Sequence, residues 1–124
     1  MQVFKFGGAS VKDAESVRNS AKIISKYKGE ALLVVISAMG KTTNLLEKLT
    51  REYYNNTGLQ LQTLEEAKAF HFQILQDLFP DGEHPIFDEI ANCFVEIEWI
   101  LEEDPQDSYD YLFDQIVSMG ELIS

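Results

Sequence analysis

Near the start of the chain a lysine stands two residues before a glycine pair, in Lys5-Phe6-Gly7-Gly8-Ala9-Ser10. Glycine lets backbone N–H groups approach a phosphate closely. A helix that begins just beyond adds positive potential at its N-terminus. The ammonium of Lys5 supplies a point charge for a transferring phosphoryl group. These are the parts of an anion site, but Gly-Gly at a strand end also makes an ordinary turn. The residues alone leave both readings open.

A second segment, Ser37-Ala38-Met39-Gly40-Lys41-Thr42-Thr43, is rich in hydroxyl and N–H groups. Its Gly-Lys-Thr invites comparison with a Walker A loop. That motif requires a further glycine five positions before Gly40, where Val35 stands instead, so the P-loop reading fails. A third segment is Ser118-Met119-Gly120-Glu121. Glycine inside a helix costs about 1 kcal/mol relative to alanine. Either the helix breaks at Gly120 or something packs closely against it. Glu121 is either an amine acceptor or an exposed helical glutamate. His71 and His84 are far apart, and no Cys-His or Asp-His spacing points to a metal site. His71, beside Phe70 and Phe72, reads as a packed or capping imidazole. Trp99 and the Phe and Tyr residues recur at core spacing.

The elements that must position these segments follow from periodicity. Gln2 to Phe6 reads as a strand ended by Gly7-Gly8. Ser10 and Asp13 have capping-box spacing. Val11, Ala14, Val17, Ala21 and Ile24 predict a helix over about 11–27, closed by Lys28-Gly29. Ala31 to Ile36 is an unbroken apolar run, as in a parallel strand buried on both faces. Strand, helix, strand makes a βαβ unit, so the two candidate loops leave the carboxyl ends of parallel strands, where α/β sheets bind ligands. Thr42 or Thr43 is placed to cap the next helix, with Leu45, Leu46 and Leu49 inward. Asn55 to Gly58 reads as a turn. Helices are expected near 63–79, from about Pro85 to Glu103, and from Ser108 or Asp107 onward. Two central-type strands do not complete a sheet, so residues 1–124 are expected to form an incomplete domain.

Composition narrows the function. The chain has 124 residues, 45% hydrophobic and 25% charged, with a formal net charge of −11. These values fit a folded globular chain. From Glu65 onward only Lys68 is basic. A nucleic-acid partner, which needs a basic face, is therefore not expected. The single cysteine, Cys93, has no internal partner and reads as a buried thiol in a reducing compartment. No apolar run approaches the roughly 20 residues of a membrane span. Met1 leads directly into the first strand pattern, without a charged and apolar leader. A cytoplasmic location and no membrane partner are expected.

Taken together, the three segments resemble the aspartate kinases. Lys5 to Val11 is similar to the KFGGTSV signature of that family, Ser37 to Leu46 to its VVSAMGKTT-like loop, and Ser118 to Ser124 to its S-x-GE-x-x-S helix. Order and approximate spacing match along the whole chain. Ala9 stands where the family usually has threonine, which removes a hydroxyl beside a site built largely of backbone N–H groups. The resemblance implies an α/β fold: the amino-terminal part of an amino-acid kinase (carbamate kinase-like) α/β/α sandwich, with parallel central strands followed by several helices. It implies ATP, carried with Mg²⁺, as phosphoryl donor and aspartate as acceptor. It gives Lys5, Gly7 and Gly8 a catalytic role at the phosphoryl group, with Ser10 also on the nucleotide side. Ser37 would line the reaction site, and Thr43 and Glu121 would bind aspartate. The family's catalytic domain is roughly twice this length, so this chain alone is expected to be inactive. A homo-oligomer is expected. A bifunctional aspartate kinase–homoserine dehydrogenase and a non-catalytic α/β anion-binding module are the alternatives. The kinase reading requires the two strand-end loops to meet, with Lys5 facing them.

Overall fold

The computed structural model describes residues 1–124. Two strands, β1 (Gln2–Phe6) and β2 (Leu32–Ile36), pair in parallel, with Gln2 opposite Leu32 and Phe6 opposite Ile36. Five helices complete the chain: α1 (Ala14–Ser25), α2 (Thr42–Tyr54), α3 (Gln60–Leu78), α4 (Ile86–Leu101) and α5 (Tyr109–Ile123). This is the α/β arrangement expected from the sequence. No helix is long and apolar enough to cross a membrane.

The start of α1 differs from the expectation. Residues Gly8–Val11 tighten into a 3₁₀ turn, in which the Ser10 N–H donates to the Gly7 carbonyl at 2.9 Å. The α-helix therefore begins later, and Asp13 rather than Ser10 is its cap, accepting from the Ser16 N–H at 2.8 Å. That N–H and the Ser16 hydroxyl hold the Asp13 carboxyl below its ordinary range. Ser10 instead offers its carbonyl to the Ser20 hydroxyl, at 2.9 Å. At its other end α1 stops at Ser25, and turns at 26–28 separate it from Gly29.

Helices α2 to α5 share one core. Leu45, Leu46 and Leu49 of α2 meet Phe94 and Ile97 of α4 and Ile116 and Met119 of α5 in a single buried cluster. The three-and-four spacing along each helix is what lets one stripe per helix reach the centre. Burial of each such side chain contributes about 1.5–3 kcal/mol relative to exposure. The Tyr53 hydroxyl lies 2.9 Å from the Ile100 carbonyl and 2.7 Å from that of Glu103, covering the open end of α4. Trp99 is off the stripe. It sits two residues past Ile97, on the other side of α4, and is 63% exposed, contrary to the core position its spacing suggests.

A smaller cluster of Val11, Ala14, Met39 and Ile74 ties the 3₁₀ turn, α1 and the loop after β2 to α3. The Arg18 guanidinium adds a bond to the Asp77 carbonyl at the end of α3.

The sheet is covered on one face only. Phe6 is buried, and the Phe4 ring meets Tyr27 edge-on at 4.7 Å. On the opposite face Val3, Leu33 and Val35 are 59%, 49% and 44% exposed, and Lys5 lies in the same row. The apolar run of β2 predicts burial on both faces. The reason for the difference is that no element of this chain packs over the second face.

Candidate functional site

The two strand-end loops meet. The Ser37 N–H donates to the Phe6 carbonyl at 2.9 Å, extending the parallel ladder past β2. The Gly40 N–H then donates to the Gly8 carbonyl at 3.1 Å. A Cβ on Gly8 would stand 3.1 Å from the Ala38 carbonyl oxygen, so the absence of a side chain there permits the contact. The glycine-rich turn and the hydroxyl-rich loop thus form one surface at the carboxyl end of the sheet, where ligands bind in α/β folds.

Gly40 has a φ of +49°, and a Cβ there would lie 2.9 Å from Cζ of Phe70. A left-handed conformation costs an L-residue about 1–2 kcal/mol, and the ring contact adds to it. Gly40→Ala is therefore expected to destabilise the chain by about 1–3 kcal/mol, read as a lower urea midpoint.

Neither threonine caps α2. The cap position is Lys41, which makes no side-chain cap bond. Thr42 is buried and turns its hydroxyl to His71 of α3, with Oγ1 and Nε2 2.7 Å apart. Lys41 is drawn sideways to α3. Its Nζ lies 3.6 Å from a Glu66 carboxylate oxygen and 5.5 Å from the centre of the Phe70 ring.

Gly120 lies within continuous α5, so the helix does not break there. A Cβ on it would stand 3.1 Å from Thr42 Cγ2, 3.2 Å from Leu46 Cδ1 and 3.5 Å from Ala38 Cβ. Close packing is the reason for the glycine. Thr43 and Glu121, each one residue beyond this contact, emerge on the surface of adjacent helices. Ser37 is half-buried at the end of β2, and Gly7 and Ser10 are exposed on the facing turn.

Lys5 is exposed and takes part in none of the salt bridges, which join Lys41 to Glu66 and Lys68 to Glu65 and Glu98. Its side chain is in water on the bare face of the sheet, and the chain does not enclose it against the two loops. Lys5 stands at the carboxyl end of β1, on the face of the sheet that no element of this chain covers. The two loops meet through the Gly40-to-Gly8 hydrogen bond.

Glu66, Phe70 and His71 grip the 40–42 segment and carry no motif. Their contact with a loop about 25–30 positions earlier leaves no local signal. Burial pushes the His71 imidazole down to about 4, from 6.5. The unfolded chain therefore binds a proton that the folded chain refuses between these values. The resulting stability is complete above about pH 6.5 and is lost as pH falls toward 4, at up to about 1.4 kcal/mol per pH unit. Urea titrations from pH 7 to 4 are expected to show this slope, and His71→Gln to remove it.

The family model of the Amino acid kinase family matches residues 1–124. The chain belongs to the amino acid kinase family. It is 33% identical to lysine-sensitive aspartokinase 3 of Escherichia coli over 123 residues, covering 98% of this chain and 26% of that protein. Against the aspartokinase of Chlamydia trachomatis it is 32% identical over 122 residues, 98% of this chain and 25% of the other. Among solved structures, E. coli aspartokinase III in complex with aspartate and ADP superposes with a TM-score of 0.82 at 32% identity, covering 99% of this chain and 26% of that one. The chain thus spans about a quarter of the length of these members of the amino acid kinase family.

Proposed function

We propose that this chain is the amino-terminal portion of the catalytic domain of an aspartate kinase, which transfers the γ-phosphoryl of ATP to the side-chain carboxylate of L-aspartate. The observation that carries the reading is the Gly40-to-Gly8 hydrogen bond, which joins the glycine turn and the hydroxyl loop into one surface. Similarity to aspartokinases along nearly the whole chain supports it, as does the neighbour described with aspartate and ADP.

In this reading a carboxylate oxygen of aspartate attacks the γ-phosphorus, the bond to the β,γ-bridging oxygen breaks, and ADP leaves. The product is 4-phospho-L-aspartate, an acyl phosphate that begins lysine, threonine and methionine synthesis. The acceptor is already ionised near neutral pH, so no general base is needed. Positioning and charge neutralisation do most of the work in phosphoryl transfer. Lys5 neutralises charge on the transferring group, and Gly7, Gly8 and Ser10 border the phosphates. Ser37 lines the reaction site, while Thr43 and Glu121 hold aspartate, Glu121 toward its ammonium. Mg²⁺ enters with ATP as part of the substrate complex, held mainly by the phosphates.

The rest of the catalytic domain lies over the bare face of Val3, Lys5, Leu33 and Val35, and encloses Lys5. The full-length protein works in the cytoplasm as a homo-oligomer. The test is ATP-dependent acyl-phosphate formation, with aspartate and other amino acids as acceptors, by the full-length protein and by the 124-residue chain. Aspartate-specific turnover by the full-length protein alone is expected. No turnover with aspartate in the full-length protein refutes the reading, and turnover by the isolated chain refutes its inactivity alone.

A further inference from the structure

Three consecutive residues of the loop after β2 are each held by α3. Gly40 abuts the Phe70 ring, Lys41 reaches Glu66 and the same ring, and Thr42 meets His71. These contacts are not equal. The Lys41–Glu66 pair is about half exposed on both sides, and such pairs contribute little. Thr42 and His71 are both buried, and separating them leaves polar atoms unpaired away from water. His71 also borders an apolar cavity of about 270 Å³ between α1, α3 and α4, lined by Val17, Ile24, Ile74, Leu78 and Ile90 among others. Without the Thr42 hydroxyl the imidazole has space to swing away and no polar partner to hold it.

Threonine is stiff at χ1 because it branches at Cβ. One rotamer of Thr42 therefore aims the hydroxyl at α3 and, at the same time, sets Cγ2 against the glycine of α5. We propose that His71 is a positioning residue: through Thr42 it fixes the loop of residues 37–43 and its seat against Gly120, and so the placement of Thr43 and Glu121. The inference rests on the aspartate kinase reading for its substrate and on this geometry for the positioning itself. The imidazole stays neutral at physiological pH because it is buried, so the contact carries no buried charge.

The test uses the full-length protein carrying Thr42→Val, which keeps the shape and loses the hydroxyl, Thr42→Ser, which keeps the hydroxyl, His71→Phe and His71→Gln. Kinetics with aspartate and ATP are measured alongside amide hydrogen exchange at residues 37–43. Thr42→Val and His71→Phe are each expected to raise KM for aspartate about tenfold, with KM for ATP within about twofold, since misplacing one substrate costs one or two orders of magnitude. The double variant should be no worse than either single one, because both remove the same contact. Thr42→Ser and His71→Gln should restore KM to within about threefold of the parent. Exchange at residues 37–43 should rise in the first pair and not in the second. Unchanged KM and unchanged exchange in Thr42→Val, or additive effects in the double variant, overturn the proposal. If His71→Phe does not fold, Thr42→Val and His71→Gln decide. If the parent protein does not phosphorylate aspartate, the functional reading fails, and exchange alone decides whether His71 positions the loop.

Discussion

Lys5→Ala in the full-length protein is expected to slow aspartyl-phosphate formation by about 10²–10³-fold while leaving the fold intact. The rate estimate follows from the loss of one preorganised positive charge on the transferring phosphoryl group, a change of about 3–4 kcal/mol in the barrier. The intact fold follows from the surroundings of Lys5. Within residues 1–124 it is exposed at the carboxyl end of β1 and makes no salt bridge, so alanine there removes no contact that holds this portion together. The loss should fall on kcat more than on KM, because the charge matters most where the phosphoryl group carries most of it. Circular dichroism and urea unfolding of the variant should match the parent. Turnover within tenfold of the parent would remove Lys5 from the phosphoryl site and leave the Gly7-Gly8 turn as a structural feature.

Phe94→Ala should have the largest effect on stability, a loss of about 3–5 kcal/mol. Phe94 has no exposed surface and lies in the core shared by α2 to α5. Its ring centre is 5.8 Å from that of His71 and 6.4 Å from that of Phe72, so truncation opens a void with walls from two helices. Domains of this size are stable by only about 5–15 kcal/mol, so the variant should sit near the edge of folding at 37 °C. Trp99→Ala is the control. It deletes a larger side chain from the same helix, but from a position 63% exposed, and should change stability by less than about 0.5 kcal/mol. Comparable urea midpoints for the two variants would mean that the core is not centred on Phe94.

The contrast between these two aromatic residues illustrates what was legible in the sequence. Ile90, Phe94, Ile97 and Leu101 repeat at three-and-four spacing, and that repeat both forms α4 and names its inner face. Trp99, expected in the core from its spacing among the other aromatic residues, lies two positions past Ile97 and so on the opposite side of α4. The first helix is a similar case. Ser10 and Asp13 have the spacing of a cap, yet the tight turn after Gly7 moves the cap to Asp13. Cap spacing does not register whether the backbone before it winds as α or 3₁₀.

At the site, the motif residues were found by their order along the chain, and their mutual placement was foreseen only at the level of strand ends. Parallel pairing of β1 with β2 makes the meeting of the two loops nearly unavoidable, because both leave the same edge. Lys5 is different. Whether a side chain at a strand end is enclosed depends on what covers its face, and nothing in this chain does so.

By itself the sequence determined the succession of two strands and five helices, the stripes that build the core, and the three segments that place the chain among its relatives. Each is a short-range property, fixed by side-chain type and by periods of two or 3.6 residues. Tertiary structure alone decided that Thr42 spends its hydroxyl on His71, 29 positions away, that Gly120 is small because Thr42, Leu46 and Ala38 press on it, and that the Lys5 row of the sheet lies in water. Those outcomes depend on how helices distant in the chain pack against one another, and no local period encodes such a distance.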